Sequence, residues 1–407
     1  MANTGKQSWR LNDALIVLYF CISLGLNNGF ILGGLTAFDQ GFLERLDITV
    51  AQLKLRDSIT LATVGVFAFV TGILVDKLGA LRVLILGHAL LSASFLILSY
   101  AQSIETIYAA QALLGICQLC SGYLVCVIAV SRLLSTGVGL AIGFMMASTS
   151  LANGLLPGIN TTLIEAVGAQ ATLQLTALCG LLLILGAVLV MGRKIKVRQD
   201  HSDAALQGGP TLGEAVRRAD FWAVIILACT SFFVFLGLVT NLPLYAAAPP
   251  LNDIGLSSRF FVALFVVSLI AQSVAGWVAD RYSLRPIHMA GLLIMLAASI
   301  GLALSQTGDS AFVWLLAMGL GWGFNYVFVQ ISIPARFGGA HLGKIFGIIV
   351  VAEALAGAAG PVIFGRSLDL NGNYQSILMI SAGLLAMSTA AAALLHRPIQ
   401  PSLAPAV

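Results

Sequence analysis

The chain has 407 residues, of which 59% are hydrophobic and only 9% are charged, and its formal net charge is +4. A soluble globule of this length needs far more polar surface than this composition supplies, so the composition excludes a soluble protein. We therefore predict an all-α membrane protein, and the small positive charge indicates no nucleic acid partner.

Twelve apolar segments of about 20 residues or more follow one another along the chain, and each is long enough to cross ~30 Å of hydrocarbon as a helix. The predicted helices lie at roughly 14–37, 55–75, 81–100, 104–130, 137–163, 170–192, 220–246, 257–279, 285–305, 311–333, 344–366 and 374–395. The first is preceded by basic residues without a small-residue cleavage site, which indicates a retained helix rather than a signal peptide.

The basic residues predict the orientation of these helices. If the N-terminus is cytoplasmic, the cytoplasmic segments contain all but five of the 21 Lys and Arg. The five on the other side are Arg45, Lys54, Arg56, Arg259 and Arg366. This asymmetry follows the positive-inside rule and places both termini in the cytoplasm. The expected location is the plasma membrane, specifically the inner membrane of a bacterium.

One long polar segment interrupts the helical series. Residues 193–219 mix charged residues with Gly, Pro and Ser, which predicts a cytoplasmic linker between two groups of six helices. The predicted domains are an N-terminal bundle at 1–192 and a C-terminal bundle at 220–407. Repeated six-helix halves are typical of transporters with internal symmetry, so we expect two pseudo-symmetric bundles.

The two halves carry similar motifs at matching positions. GILVDKLGALR follows the second predicted helix, and GWVADRYSLRP follows the eighth. In each motif the acid and the following basic residues can bridge to neighbouring helix ends. The residues concerned are Asp76, Lys77, Arg82, Asp280, Arg281 and Arg285.

These halves and loop motifs resemble the major facilitator superfamily over the whole chain. Three further runs resemble its branch of monocarboxylate transporters and oxalate/formate antiporters. They are SRLLSTGVGLAIGFMMAS, RRADFWAVIILA and RFGGAHLGKIFGIIVVAEALAGAAGP. The resemblance implies a secondary transporter that works by alternating access, is monomeric, needs no cofactor and uses a proton gradient as its energy source. It also implies that the acid and basic residues of the two loop motifs are candidate gating residues for the inward-closed state.

The resemblance also implies a set of cavity-lining residues. Tyr123 precedes Arg132 by nine positions, and Trp322 and Tyr326 form a W-x-x-x-Y pair, as in that branch. Aromatic walls with a polar tip suit small organic solutes. The expected solute-binding residues are Asn27, Asn28, Gln118, Tyr123, Gln272, Trp322, Asn325 and Tyr326.

The chain departs from the branch where anion binders commonly carry an Arg and a Lys. The corresponding positions here are Gln272 and Glu353. Because a carboxylate that leaves water needs a cationic partner, we do not expect a dianion such as oxalate as the solute. A monocarboxylate bound by Arg56 is a strained alternative, since Asp57 adjoins Arg56 and can neutralise it.

Glu353 lies in an apolar segment, between Lys344 and Arg366, that carries no other charge. Burying an ionised group in a bilayer is costly, so such acids usually serve transport. Two hypotheses follow. Glu353 binds a proton and couples its movement to a small, monocarboxylate-like solute, or it stays ionised as the counter-ion of an exported cationic or amphipathic compound.

Structural readings of these residues stay open. Glu353 can be a hydrogen-bonded structural acid, the aromatic residues can be packing residues, and Asn27, Asn28, Asn325, Gln118 and Gln272 can join helix to helix. The CxxC at 117–120 indicates small-residue packing. The five His, at 88, 201, 288, 341 and 396, show no metal spacing, so we expect neither a metal site nor an enzyme. A non-transporting receptor of the same fold is a further alternative.

Overall fold

The computed structural model describes residues 11–48, 50–205, 209–253, 255–282 and 284–393, and all regular structure within these ranges is helical. Sixteen α-helices are present. They are α1 (Leu11–Ile31), α2 (Asp39–Leu46), α3 (Val50–Leu78), α4 (Ala80–Ser99), α5 (Ile104–Cys120), α6 (Tyr123–Leu133), α7 (Val138–Val167), α8 (Ala169–Ala205), α9 (Leu212–Val216), α10 (Ala219–Thr240), α11 (Leu242–Ala247), α12 (Leu256–Ala279), α13 (Leu284–Leu304), α14 (Gly308–Phe337), α15 (Leu342–Asn371) and α16 (Gln375–Ala393).

Twelve segments in the described ranges are long and apolar enough to cross a membrane, which confirms the twelve predicted helices. Two details were not predicted. The first span continues through a 3-10 helix, Gly34–Phe38, into the short helix α2. Helix α8 extends to Ala205, beyond residue 192 where the sequence placed the end of the bundle. Side chains at 191–208, most of them in the predicted linker, lie outside the described residues.

The described chain forms two compact units. Of the described residues, the N-terminal unit contains those up to Gly209 together with Gly338–Gly347, and the C-terminal unit contains Pro210–Phe337 and those from Ile348 to Ala393. Helix α15 therefore begins in the N-terminal unit and continues in the C-terminal unit. The predicted linker at 193–219 spans the first of these boundaries.

Each unit shows the same order of helix packing. In the N-terminal unit α3 and α4 both pack on α5, and α4 also packs on α8. In the C-terminal unit α12 and α13 both pack on α14, and α13 also packs on α16. The repeated pairing is the structural counterpart of the two loop motifs.

Glycines allow the closest helix contacts within each unit. A Cβ added at Gly29 of α1 would lie 2.7 Å from the Cβ of Ala152 in α7. In the C-terminal unit, a Cβ at Gly323 of α14 would lie 2.6 Å from the Cβ of Ala271 in α12. Helices in lipid associate through such small residues because the bilayer offers no hydrophobic driving force between them.

Three helices contain an interior proline: Pro157 in α7, Pro334 in α14 and Pro361 in α15. A proline has no N–H, so the carbonyl four residues earlier loses its helical hydrogen bond. In α7 this carbonyl belongs to Asn153, and it lies 2.8 Å from where a Cβ of Gly33 would be. At Asn153 a backbone carbonyl that lacks its helical bond thus lies at a close helix contact.

Candidate functional site

The fourth span is broken at the position where the sequence places candidate cavity residues. Helix α5 ends at Cys120, α6 begins at Tyr123, and Ser121 and Gly122 lie between them. The Ser121 hydroxyl donates to the Cys117 carbonyl at 2.9 Å, and a Cβ at Gly122 would lie 1.9 Å from the Gln118 carbonyl. Only glycine fits there, so the break is built into the sequence.

Asn27 is fully buried beside this break. Its Oδ1 accepts hydrogen bonds from the Ser121 hydroxyl and the Cys117 thiol, both at 3.0 Å. Its Nδ2 has no hydrogen-bond partner among the described residues, and neither has Oε1 of the partly buried Gln118. One half of the Asn27 amide therefore joins helices, while the other half offers an unused donor.

Asn28 and Tyr123 have different surroundings. Asn28 is partly buried, and its Oδ1 accepts from Nδ2 of Asn153 in α7 at 2.7 Å. The ring of Tyr123 packs against Phe346, with ring centroids 6.2 Å apart. Asn28 thus contributes to helix pairing, and Tyr123 lies against the beginning of α15, which belongs to the same unit.

An aromatic cluster in the C-terminal unit contains the two predicted aromatic residues of α14. Trp322 stacks on Phe235 at 3.9 Å between centroids and on Tyr326 at 5.0 Å. Phe232 contacts both Trp322 and Tyr326 edge to face, at 5.4 and 5.7 Å. The sequence predicted the pair on α14 but missed the two phenylalanines of α10 that hold it.

Glu353 lies near the middle of α15, about 16 Å from Leu342 at 1.5 Å per residue. Its side chain is 1% exposed. The Tyr326 hydroxyl and the Cys229 thiol are both close enough to its carboxyl group for an electrostatic interaction. The acid is therefore buried beside the aromatic cluster, and both lie in the C-terminal unit.

Two other predicted polar residues of this unit are also buried. The Asn325 Oδ1 bonds to Nε2 of His288 at 2.5 Å, and its Nδ2 donates to the Ser231 hydroxyl. Both ends of this amide are thus used between helices, which favours a structural contribution. Gln272 is 1% exposed in α12, next to the close contact at Gly323.

Asp76 caps the beginning of α15. Its Oδ1 accepts from the Gly343 N–H at 2.9 Å and its Oδ2 from the Lys344 N–H at 3.0 Å. Arg132 donates to Asp76 Oδ1 and to the Gly339 carbonyl, both at 3.4 Å. A carboxylate at a helix N-terminus satisfies N–H groups that have no intrahelical partner and complements the helix dipole.

The other candidate gating residues have different surroundings. Lys77 and Arg82 are exposed, and Asp280 is the C-cap residue of α12. The Arg281 guanidinium lies 4.3 Å from the centroid of the Trp277 ring and donates to the Trp277 carbonyl. The side chain of Arg285 lies outside the described residues.

A polar cluster in the C-terminal unit joins α11 and the residue before it to α13, α15 and the residue before α16. Asn241 donates to the Pro361 carbonyl at 3.1 Å and accepts from the Tyr374 hydroxyl at 3.3 Å. Tyr245 packs edge to face against Tyr374 and donates to the Leu302 carbonyl. Burial, followed by the negative charge of Asp369, raises the pKa of Tyr374 to about 12, and burial also raises the pKa of Tyr245.

In the described part of the chain, no group of three or more His, Cys, Asp or Glu could hold a metal ion. His88 and His288, treated as scattered residues in the sequence, are buried and hydrogen bonded. Nε2 of His88 contacts the hydroxyls of Ser23 and Tyr19 at 3.0 and 3.2 Å. Hydropathy alone does not reveal such pairings.

Comparison with known proteins gives consistent matches. The family model described as Major Facilitator Superfamily matches residues 15–361 and, in a second match, 248–406. Rat (Rattus norvegicus) Monocarboxylate transporter 2 is 22% identical over 408 positions, covering 92% of this chain and 81% of the relative. The MFS-type transporter YcxA of Bacillus subtilis is 24% identical over 400 positions, covering 94% and 95%.

The fold also matches a solved structure. The human organic anion transporter MFSD10 superposes with a TM-score of 0.72 at 17% identity, covering 93% of this chain and 99% of that one. This likeness shows the fold, and the family model covers nearly the whole chain. The chain is a multi-pass membrane transporter, not an enzyme, and belongs to the Major Facilitator Superfamily.

Proposed function

We propose that this secondary transporter couples the movement of a small, monocarboxylate-like organic solute to protons, with Glu353 as the protonation site. The observation that carries the proposal is the burial of Glu353, 1% exposed, near the middle of a membrane-spanning helix. Burial in such a site favours the neutral form of an acid. A carboxyl group that binds a proton during the transport cycle therefore costs less free energy there than one that stays ionised.

The basic residues support a solute of low charge. In the described spans Lys and Arg lie near the span ends, and the deepest, Arg366, precedes Asn371 by little more than one helical turn. Arg56 is buried but already contacts Asp39 at 2.5 Å and Asp57 at 3.2 Å. In the described spans, a dianion would therefore find no cationic side chain near the middle of the membrane to balance its charge.

The relatives support the same solute class. The name of the rat protein specifies monocarboxylates, and its similarity extends over 92% of this chain. We assign a monocarboxylate-like solute here on that similarity together with the amide and aromatic groups of both units. We also place both termini in the cytoplasm of a bacterial inner membrane protein that acts as a monomer, on the basis of the Lys and Arg distribution and the family.

A second candidate function rests on a specific observation. The charge of Glu353 lies beside Tyr326, and Trp322 and Phe232 surround that ring. An acid next to several aromatic faces also suits an organic cation, through ion pairing and cation–π contact. The alternative is export of a cationic or amphipathic compound with Glu353 as its counter-ion.

Proteoliposomes that contain a pH dye separate these functions. Wild-type protein and protein-free liposomes are compared with lactate, lactamide and tetraethylammonium on the outside, because weak acids also cross bilayers unaided. The proposal predicts protein-dependent internal acidification with lactate. Protein-dependent transport of tetraethylammonium, without any response to lactate, would favour the second candidate and contradict the first.

A further inference from the structure

Gln330 in α14 is a fully buried amide without a protein partner. Its side chain is 0% exposed, and neither Nε2 nor Oε1 makes a hydrogen bond to any described residue. Other buried amides in the same unit are used: Asn325 bonds to His288 and Ser231, and Asn241 bonds to the Pro361 carbonyl. Gln330 therefore does not serve helix pairing as those two residues do.

The position of Gln330 continues the aromatic wall of α14. It follows Tyr326 by four residues and Trp322 by eight, so the three side chains occupy one face of the helix. Pro334 follows it by four residues and has no N–H to give the Gln330 carbonyl. This turn of α14 thus presents one unused side-chain donor, one unused side-chain acceptor and a backbone carbonyl without its helical bond.

An unpaired amide at this depth is unfavourable, because it has lost its bonds to water and gained none. A ligand with one donor and one acceptor on adjacent atoms would satisfy both ends at once. A protonated carboxyl group has this pattern: its C=O accepts from Nε2–H, and its O–H donates to Oε1. An ionised carboxylate would instead direct a lone pair at Oε1, which is itself an acceptor and cannot donate to it.

We propose that Gln330 is a solute-binding residue that recognises a carboxyl group in its protonated form through two hydrogen bonds. The inference rests on the proposed function and specifies the form in which the solute is bound: Glu353 delivers the coupling proton, and the solute carboxyl carries that proton while it is bound. It also specifies an equivalent ligand, because a primary amide carries the same donor and acceptor pattern at every pH. A methyl ester lacks the donor.

The test measures binding of lactate, lactamide and methyl lactate to the purified full-length protein by calorimetry. Wild type is compared with Gln330→Met, which keeps the side-chain length, and with Gln111→Met as the matched control. Gln111 is a buried amide in the N-terminal unit whose Oε1 accepts from Thr60 at 2.8 Å. We expect lactamide to bind wild type more tightly than methyl lactate does.

Gln330→Met is expected to weaken lactamide and lactate binding by about 5- to 150-fold, the effect of two neutral hydrogen bonds. The same variant should unfold at an equal or higher temperature without ligand, because it removes an unpaired amide. Gln111→Met should bind all three ligands as wild type does.

Three outcomes would overturn the inference. Unchanged lactamide binding by a folded Gln330→Met protein would mean that the amide holds water only. Methyl lactate binding as tightly as lactamide would exclude the required donor. In both cases transport of lactate by wild type would leave the proposed function intact. If wild type neither binds nor transports lactate or lactamide, the monocarboxylate proposal fails and the inference fails with it.

Discussion

The contact between Asp76 and the beginning of α15 makes a quantitative prediction for Asp76→Asn. The carboxylate accepts two backbone N–H groups, from Gly343 and Lys344, and its charge assists both bonds. Asparagine keeps one acceptor oxygen, so the substitution removes one of the two hydrogen bonds. The remaining hydrogen bond loses the assistance of the negative charge. Together with the lost interaction with the helix dipole, the change should destabilise this contact by about 2–4 kcal/mol.

Amide hydrogen exchange at Gly343 and Lys344 measures this effect directly, because their N–H groups donate to Asp76. A loss of about 2–4 kcal/mol corresponds to exchange about 30- to 1,000-fold faster at both amides. Lys77→Gln is the matched control, since it changes a neighbouring charge on an exposed side chain. Unchanged exchange at both amides in Asp76→Asn would refute the reasoning.

Two further predictions follow from local geometry. Gly72→Ala should accelerate amide exchange at Gly343 and Lys344, because the added Cβ would lie 2.0 Å from the Gly343 carbonyl oxygen. Gly65→Ala on the same helix is the control, since its Cβ would meet nothing within 4 Å. Equal exchange in the two variants would contradict this prediction. The unfolding temperature should fall as pH rises from 10 towards 12, because unfolded Tyr374 releases its proton near its ordinary pKa of 10.0 while the folded protein retains it to about 12. Tyr374→Phe should show a smaller fall, and an identical pH profile would contradict the assignment.

The sequence predicted the spanning helices well, because a hydrophobic length of about 20 residues is a strong physical requirement. All twelve segments are present in the described chain. The Asp76 motif was also predicted as a contact with neighbouring helix ends, and the structure supplies its partners at Gly343 and Lys344. The hydrophobic length of a span and the position of a charge at a helix end are local properties, so a single sequence shows them.

Other features could not be predicted because they depend on contacts between distant segments. The break at Ser121 and Gly122 lies inside a segment of continuous high hydropathy and results from one hydroxyl and one backbone clash. Asn325 and Gln330 read alike in the sequence as amides at membrane depth. Only their surroundings distinguish Asn325, which joins helices, from Gln330, which has no hydrogen-bond partner among the described residues. The contributions of the predicted solute-binding residues stay predictions.

The most direct test of the central claim compares wild type with Glu353→Gln in proteoliposomes, measuring proton movement and solute exchange on the same preparation. Exchange of labelled for unlabelled lactate needs binding and reorientation but no net proton transfer. The account predicts that Glu353→Gln abolishes lactate-driven proton movement while exchange persists. Proton movement equal to wild type in the variant would contradict the assignment of Glu353 as the coupling site.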